Sequence, residues 1–222
     1  MKLKKVAIIN SAIVAVMLFF SIWAWIKLPE GVEIPVHFNL QGQPDRYAGK
    51  FEGLLLMPLL AMGLTGLMML IPRIEPRQEH RSDSSAANAI TVVTGVLFLA
   101  VVHYSIIAIA VGKTVDIVTI VMIMMGILFI VMGNYLSKTR SNFFFGIRTP
   151  WTLSSELAWR KTNRLGAWLF VFYGVSFIIG AIIGNSWLLI GLIGTLLIVS
   201  LVILPIYSYR IWKKDSADRG EQ

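Results

Sequence analysis

Cysteine is absent from all 222 residues, which removes disulfides and thiolate metal sites and leaves the redox compartment unreadable. Charge is scarce too. Asp, Glu, Lys and Arg make up 14% of the chain, against about a quarter in a soluble domain. Hydrophobic residues reach 56% and mean hydropathy is +0.73. A chain this short has no single core large enough to bury that much apolar surface, so its solvent is lipid. Catalytic signatures are missing as well: there is no Gly-x-Ser-x-Gly elbow, no His-Glu-x-x-His helix and no phosphate-binding glycine loop.

Six apolar stretches are long enough to cross a hydrocarbon core about 30 Å thick: residues 6–26, 51–72, 89–111, 115–136, 165–184 and 187–209. The first follows a basic start, as a signal peptide would. Its apolar run is too long for an h-region, however, and no small-residue cleavage site follows. Trp23, Trp25 and Lys27 instead close it as an interfacial anchor. With the N-terminus inside, only Lys27, Arg46, Lys50 and Lys113 of the 20 Lys and Arg residues fall outside. That asymmetry predicts a polytopic all-α bundle with both termini cytoplasmic, because Lys and Arg resist translocation. The net charge of +8 is therefore a topology signal rather than a nucleic-acid patch, and no direct nucleic-acid binding is expected.

These spans divide the chain into a two-span module, residues 1–88, with an outer loop at 27–50, and a four-span module, residues 89–209, with an inner loop at 137–164. A polar cytoplasmic tail, 210–222, is expected to fray. Gly112, Gly184 and Asn185 suit helix C-caps, and the four-residue spacing of Gly180 and Gly184 raises close helix contact as a weak alternative to ordinary packing. Pro58 and Pro205 are candidate kinks.

The middle of every span lacks Asp, Glu, Lys and Arg. The titratable interior group is His103, which reads either as a proton relay or as a neutral histidine hydrogen-bonded inside the bundle. The three histidines, His37, His80 and His103, fall outside, inside and mid-membrane and so cannot share a metal. Glu30 with Glu33 and Glu75 with Glu79 lie among mixed charges and read as solubilising pairs. No catalytic residue, metal site or cofactor is expected.

Two polar segments carry the functional information. In the outer loop, Pro29, Pro35 and Pro44 forbid a continuous helix. Residues 32–38 have partial strand character and residues 40–45 supply turn chemistry, which predicts a small extended cap. It reads either as an external ligand-contact surface or as a packed lid over the helix ends. The inner loop carries six basic residues, Lys138, Arg140, Arg148, Arg160, Lys161 and Arg164, against Glu156 alone. Phe143, Phe144, Phe145, Ile147, Trp151, Leu153, Leu157 and Trp159 argue against disorder. Gly146 allows a sharp turn, and Pro150 biases Thr149 towards extended backbone. A helix is expected from Thr152 or Ser154, with Glu156 in its first turn and Leu153 and Leu157 on one face. The segment should lie in the inner headgroup zone, aromatics dipping inward and arginines meeting phosphate or helix ends. The polar set Asn134, Asn142, Arg148, Thr149 and Thr152 reads either as a buried structural clasp or as a docking site for a cytoplasmic partner.

The same inner residues resemble a known family. Gly133, Asn134, Lys138, Arg140 and Asn142, then Gly146-Ile147-Arg148-Thr149-Pro150-Trp151-Thr152-Leu153, then Trp159, Thr162, Arg164 and Gly166 resemble the SdpI family of bacterial immunity proteins. Asn163 departs from it, standing where members often carry histidine. The outer Leu28, Pro29, Pro35, His37, Phe38, Asn39, Gly42, Pro44, Asp45 and Lys50 resemble the module usually fused N-terminally to that family. The resemblance spans nearly the whole chain. It implies a plasma-membrane protein that protects its producer against a secreted killing peptide. In the founding system it also implies a receptor that holds a small DNA-binding repressor at the membrane.

The sequence thus points to a six-span membrane immunity factor and signal receptor without catalysis. Its outer cap, with His37, Asp45 and Arg46, is expected to contact toxin. Its inner segment, centred on Arg148-Thr149-Pro150-Trp151, is expected to couple helix arrangement to a partner. A small transporter or lipid-handling protein is the alternative, and a purely structural membrane subunit is a third reading.

Overall fold

A computed structural model describes residues 3–74, 81–185, 187–218 and 220. Glu75, Glu79, His80 and Ser186 lie outside these. The chain runs α1 (Leu3–Lys27), β1 (Ile34–Phe38), β2 (Pro44–Ala48), α2 (Lys50–Ile74), α3 (Arg81–Ala110), α4 (Ile117–Leu136), α5 (Pro150–Ser154), α6 (Glu156–Ile183), α7 (Trp187–Ile198) and α8 (Leu204–Asp218). Among the described residues six segments are long and apolar enough to cross a membrane, the last joining α7 to α8. Six crossings place both termini on one face and the strands on the other.

Each span sorts its side chains by partner, because lipid is as good a solvent for Leu as another helix is. Along α1 the buried positions are Val6, Asn10, Val14, Met17, Ser21, Ala24 and Leu28, three or four apart, whereas Ile8, Phe19, Ile22 and Ile26 face outward. That seam meets α2 and α3 through Ala61, Val96 and Ala100 at one level and Leu54, Ile106 and Ile107 nearer the strands. Leu54 and Ile34 are fully buried, so the hairpin is part of this core.

Small residues govern the second pairing. Gly126 of α4 lies against Gly174 of α6, where a Cβ on either would sit 2.6 Å from the other's carbonyl oxygen, and a Cβ on Gly133 would sit 2.7 Å from the Ala167 carbonyl oxygen. Gly126 and Gly133 are one heptad apart, as are Ala167, Gly174 and Ala181, a spacing that keeps small residues on one seam of each helix. Gly184 faces open space at φ +72°, so Gly180 and Gly184 do not form a shared contact. Gly184 is the left-handed C-cap of α6, as expected, and Gly112 closes α3 the same way at φ +84°. Asn185 continues the α6 cap through its N–H, and its side chain accepts the Trp187 N–H at 3.0 Å to start α7.

Three boundaries differ from the sequence expectation. α6 begins at Glu156, nine residues before the expected span, because Ser155 caps it and its first two turns pack against the loop before it. The last span breaks at a π-helical turn, Val199–Ile203, which leads into Pro205 at the first turn of α8, where a missing N–H does least harm. Pro58, by contrast, lies inside an unbroken α2. The tail expected to fray is helical to Asp218.

Candidate functional site

The loop between α4 and α6 is a knot of side-chain-to-backbone hydrogen bonds. Asn142, 3% exposed, ties its first half. Its Oδ1 accepts the N–H groups of Phe144 (2.9 Å) and Phe145 (2.7 Å). Its Nδ2 donates to the carbonyls of Arg140 (2.8 Å) and Phe145 (3.0 Å). The chain then turns at Gly146, whose φ is +123° and whose missing Cβ leaves room for the Trp159 ring and the Asn163 amide. Any other residue there would be strained and would clash.

Trp159 and Asn163, one turn apart on α6, hold the loop from beneath. The Trp159 Nε1–H donates to the Thr139 carbonyl at 2.8 Å. Asn163 accepts the Ile147 N–H at 2.8 Å and donates to the Trp159 carbonyl at 3.1 Å. Asn163 is thus a stitch between loop and helix.

The second half is a helix cap with a tertiary purpose. Thr149 is the N-cap of α5, its Oγ1 accepting the Thr152 N–H while Thr152 Oγ1 accepts the Thr149 N–H. Pro150 occupies the first helical position, where it is preorganised. Thr152 Oγ1 also lies 3.0 Å from the Ile147 carbonyl that accepts its proton. The expected helix from Thr152 or Ser154 is therefore two helices, capped at Thr149 and Ser155, and Leu153 and Leu157 do not share a continuous face.

α8 closes the clasp from the other side. Thr149 and Ser208 hydroxyls lie 2.9 Å apart, Ser155 donates to Asp215 at 2.7 Å, and the Trp151 ring meets Tyr209 edge-on at 5.2 Å. Asn142, Thr149, Thr152 and Trp159 are thus buried together. Gly146 and Trp151 are half-buried, and Asn134, Lys138, Arg140, Arg148, Pro150 and Arg164 are exposed around them. Arg148 donates through Nη1 to the Phe143 carbonyl, steadying the turn from outside. Of the loop aromatics, Phe145 and Trp159 are buried within the protein, while Phe143 is 40% exposed.

The opposite face carries the expected extended cap, a two-stranded antiparallel hairpin. Asn39 makes its turn by accepting the N–H groups of Gln41 (3.0 Å) and Gln43 (2.9 Å), with Gly42 at φ +76°. Pro44 opens β2 and Pro35 is buried within β1, both tolerated on strands with one open edge. His37 pairs with Asp45 across the strands, and Arg46 pairs with Glu52 of α2 at 2.7 Å. Pro29 is exposed in the turn leaving α1. Lys50 then donates to the carbonyls of Trp25 (2.9 Å) and Leu28 (2.6 Å), capping the negative end of α1. The hairpin thus gathers Pro35, His37, Asn39, Gly42, Pro44, Asp45 and Arg46, far from the clasp. Asp116 caps α4 on this same face; hydrogen bonds from the Thr119 hydroxyl and backbone hold its carboxyl below the ordinary carboxylate range.

Between the two faces, His103 is fully buried. Its Nε2 lies 3.0 Å from Ser21 Oγ, which also reaches the Leu54 carbonyl at 2.7 Å. Three helices therefore meet at one hydroxyl. Among the described residues no three His, Asp or Glu side chains are grouped to hold a metal.

Sequence reasoning missed Asn163, Ser208, Tyr209, Asp215 and the capping role of Lys50. Two weak signals existed: the four-residue step from Trp159 to Asn163, and the seven-residue step from Ser208 to Asp215 along an otherwise mixed tail.

Comparison with known proteins finds two matched stretches. Residues 138–207 match the SdpI/YfhL protein family, and residues 12–62 match a domain of unknown function, DUF1648. The chain is 26% identical to "Immunity protein SdpI" of Bacillus subtilis (strain 168) over 212 residues, 96% of this chain and 98% of that protein. No solved structure matches it significantly. Most of the clasp lies inside the stretch similar to the SdpI/YfhL protein family, and the hairpin lies inside the other matched stretch.

Proposed function

We propose that this protein is a plasma-membrane immunity factor that protects the cell carrying it against a secreted antimicrobial peptide. Both termini lie in the cytoplasm, and a small cytoplasmic DNA-binding repressor is its signalling partner. The observation that carries the reading is the near full-length correspondence with a protein named for immunity, 96% of one chain against 98% of the other. Orientation is supported by charge: of the described Lys and Arg residues, only Lys27, Arg46, Lys50 and Lys113 lie on loops or helix ends of the hairpin face.

The hairpin is the toxin-facing part in this reading. His37, Asp45 and Arg46 are exposed there on a scaffold that shares its core with α1, α2 and α3. The clasp is the partner-facing part. It joins the end of α4, the start of α6 and the whole of α8, so a shift among the spans changes the surface formed by Arg148 and Trp151. Signalling requires that peptide bind one helix arrangement better than another.

Expression in a peptide-sensitive strain, scored for survival and for membrane recruitment of a co-expressed repressor, tests both halves. Survival without recruitment leaves immunity and removes signalling. Arg148→Ala and Trp151→Ala should abolish recruitment while the protein stays in the membrane at its normal level. Loss of the protein itself would make the clasp purely structural, and no gain in survival from the unaltered chain would refute the immunity reading.

A further inference from the structure

Where α4 and α6 leave their glycine contact on the clasp face, they part. Gly133 is buried against the Ala167 carbonyl, and just beyond it opens a cleft of 510 Å³ walled by Asn134, Ser137, Lys138, Arg164, Trp168 and Val171. Two cations share this space. Lys138 is only loosely engaged, 3.4 Å from Asn134 Oδ1 and 5.1 Å from the centre of the Tyr135 ring. Arg164 has no ion pair among the described residues. Among the described residues that line it, the cleft has two cations and several hydrogen-bond donors but no carboxylate.

The apolar side of the cleft says what kind of anion suits it. Trp168 stands one turn from Arg164 towards the bilayer centre and is 69% exposed. Below it Phe172, Val175 and Ile179 continue at helical spacing, each more than 40% exposed. A basic niche at headgroup depth, an indole at the interface and an apolar stripe running into the hydrocarbon match one molecule from head to tail. A soluble phosphate would use only the first.

We propose that this cleft is a binding site for an anionic glycerophospholipid. Lys138 and Arg164 hold its phosphate, Asn134 hydrogen-bonds its headgroup, and an acyl chain lies along Trp168, Phe172, Val175 and Ile179. The site does not depend on the immunity reading. It would anchor the α4–α6 pair, and through it the clasp, to the composition of the surrounding leaflet.

Native mass spectrometry of the purified full-length chain, titrated with phosphatidylglycerol or phosphatidylethanolamine, tests this directly. Phosphatidylglycerol should bind more tightly, and Lys138→Gln with Arg164→Gln should weaken it at least about tenfold, as loss of charge-assisted hydrogen bonds implies. Ser137→Trp, which fills the cleft without changing charge, should weaken it similarly. Lys161→Gln with Lys213→Gln removes as much charge from exposed positions outside the cleft and should change little. Equal loss in that control, retention in the Ser137→Trp variant, equal binding of the two lipids, or displacement by millimolar inorganic phosphate would each overturn the proposal. If the double variant fails to fold, the Ser137→Trp variant decides alone.

Discussion

Replacing Asn142 by alanine removes one side chain and strands four backbone groups at once. Two of them, the N–H and carbonyl of Phe145, belong to a residue only 8% exposed, so water cannot readily take over. The other two, the Phe144 N–H and the Arg140 carbonyl, belong to less buried residues and can be resolvated. Each buried group left unsatisfied costs about 1–3 kcal/mol, so the Phe145 pair alone predicts a loss of roughly 2–6 kcal/mol. At about 3 kcal/mol, a chain of this size should melt roughly 6–12 °C lower. Thermal unfolding of the detergent-solubilised protein, followed by tryptophan fluorescence, measures this, since Trp159 and Trp151 both sit in the clasp. Asn134→Ala is the matched control. It removes an exposed asparagine whose hydrogen bond to Lys138 is 3.4 Å long, and it should leave the transition where it was. An Asn142→Ala protein that melts within about 2 °C of the original, no more than the smallest shift expected for a single stranded group, would refute the claim that this side chain organises the loop.

Three further outcomes follow from the same geometry. Gly174→Ala would put a methyl 2.6 Å from the Gly126 carbonyl oxygen; it should push α4 and α6 apart and destabilise by about 1–3 kcal/mol, whereas Gly194→Ala, with nothing within 4 Å, should be neutral or stabilising in the same melt. Ser21→Ala takes the shared hydroxyl from His103 and the Leu54 carbonyl and should cost about 1 kcal/mol, in keeping with the modest strength of hydrogen bonds between membrane helices. Asp116 has a folded pKa below its ordinary 3.8, so its contribution is fully present above that value and fades as pH falls through the depressed one. Melting temperatures between pH 5 and pH 2 should therefore drop less for Asp116→Asn than for the original chain, and identical slopes would remove the cap from the account.

Much of this molecule was decided by its amino-acid order alone. The six spans follow from runs of apolar residues that have no other way to leave water. The hairpin follows from prolines that forbid helix on either side of a turn at Asn39 and Gly42. Even the importance of the loop around Gly146 was legible, because so dense a mixture of aromatic, cationic and amide side chains suits neither a belt of anchors nor a flexible linker.

Tertiary structure decided which of those side chains bear the load. Asn134 and Asn142 are eight residues apart in one motif, yet one is solvated and the other holds four backbone groups, a distinction set by where the chain turns. Asn163 reads as a neutral departure from a histidine position until the Ile147 N–H is seen to need an acceptor there. The glycines at the backbone contact of α4 with α6, Gly126, Gly133 and Gly174, are three among eighteen, and only the approach of one backbone to another picks them out from Gly184 or Gly194. The second half of α8 looked like a loose polar tail; Asp215 there, with Ser208 and Tyr209 at the end of the last expected span, gains its partner only once α5 and α6 are in place. Local pattern fixes what each segment prefers in lipid or water, while hydrogen bonds between distant residues depend on positions that no local preference encodes.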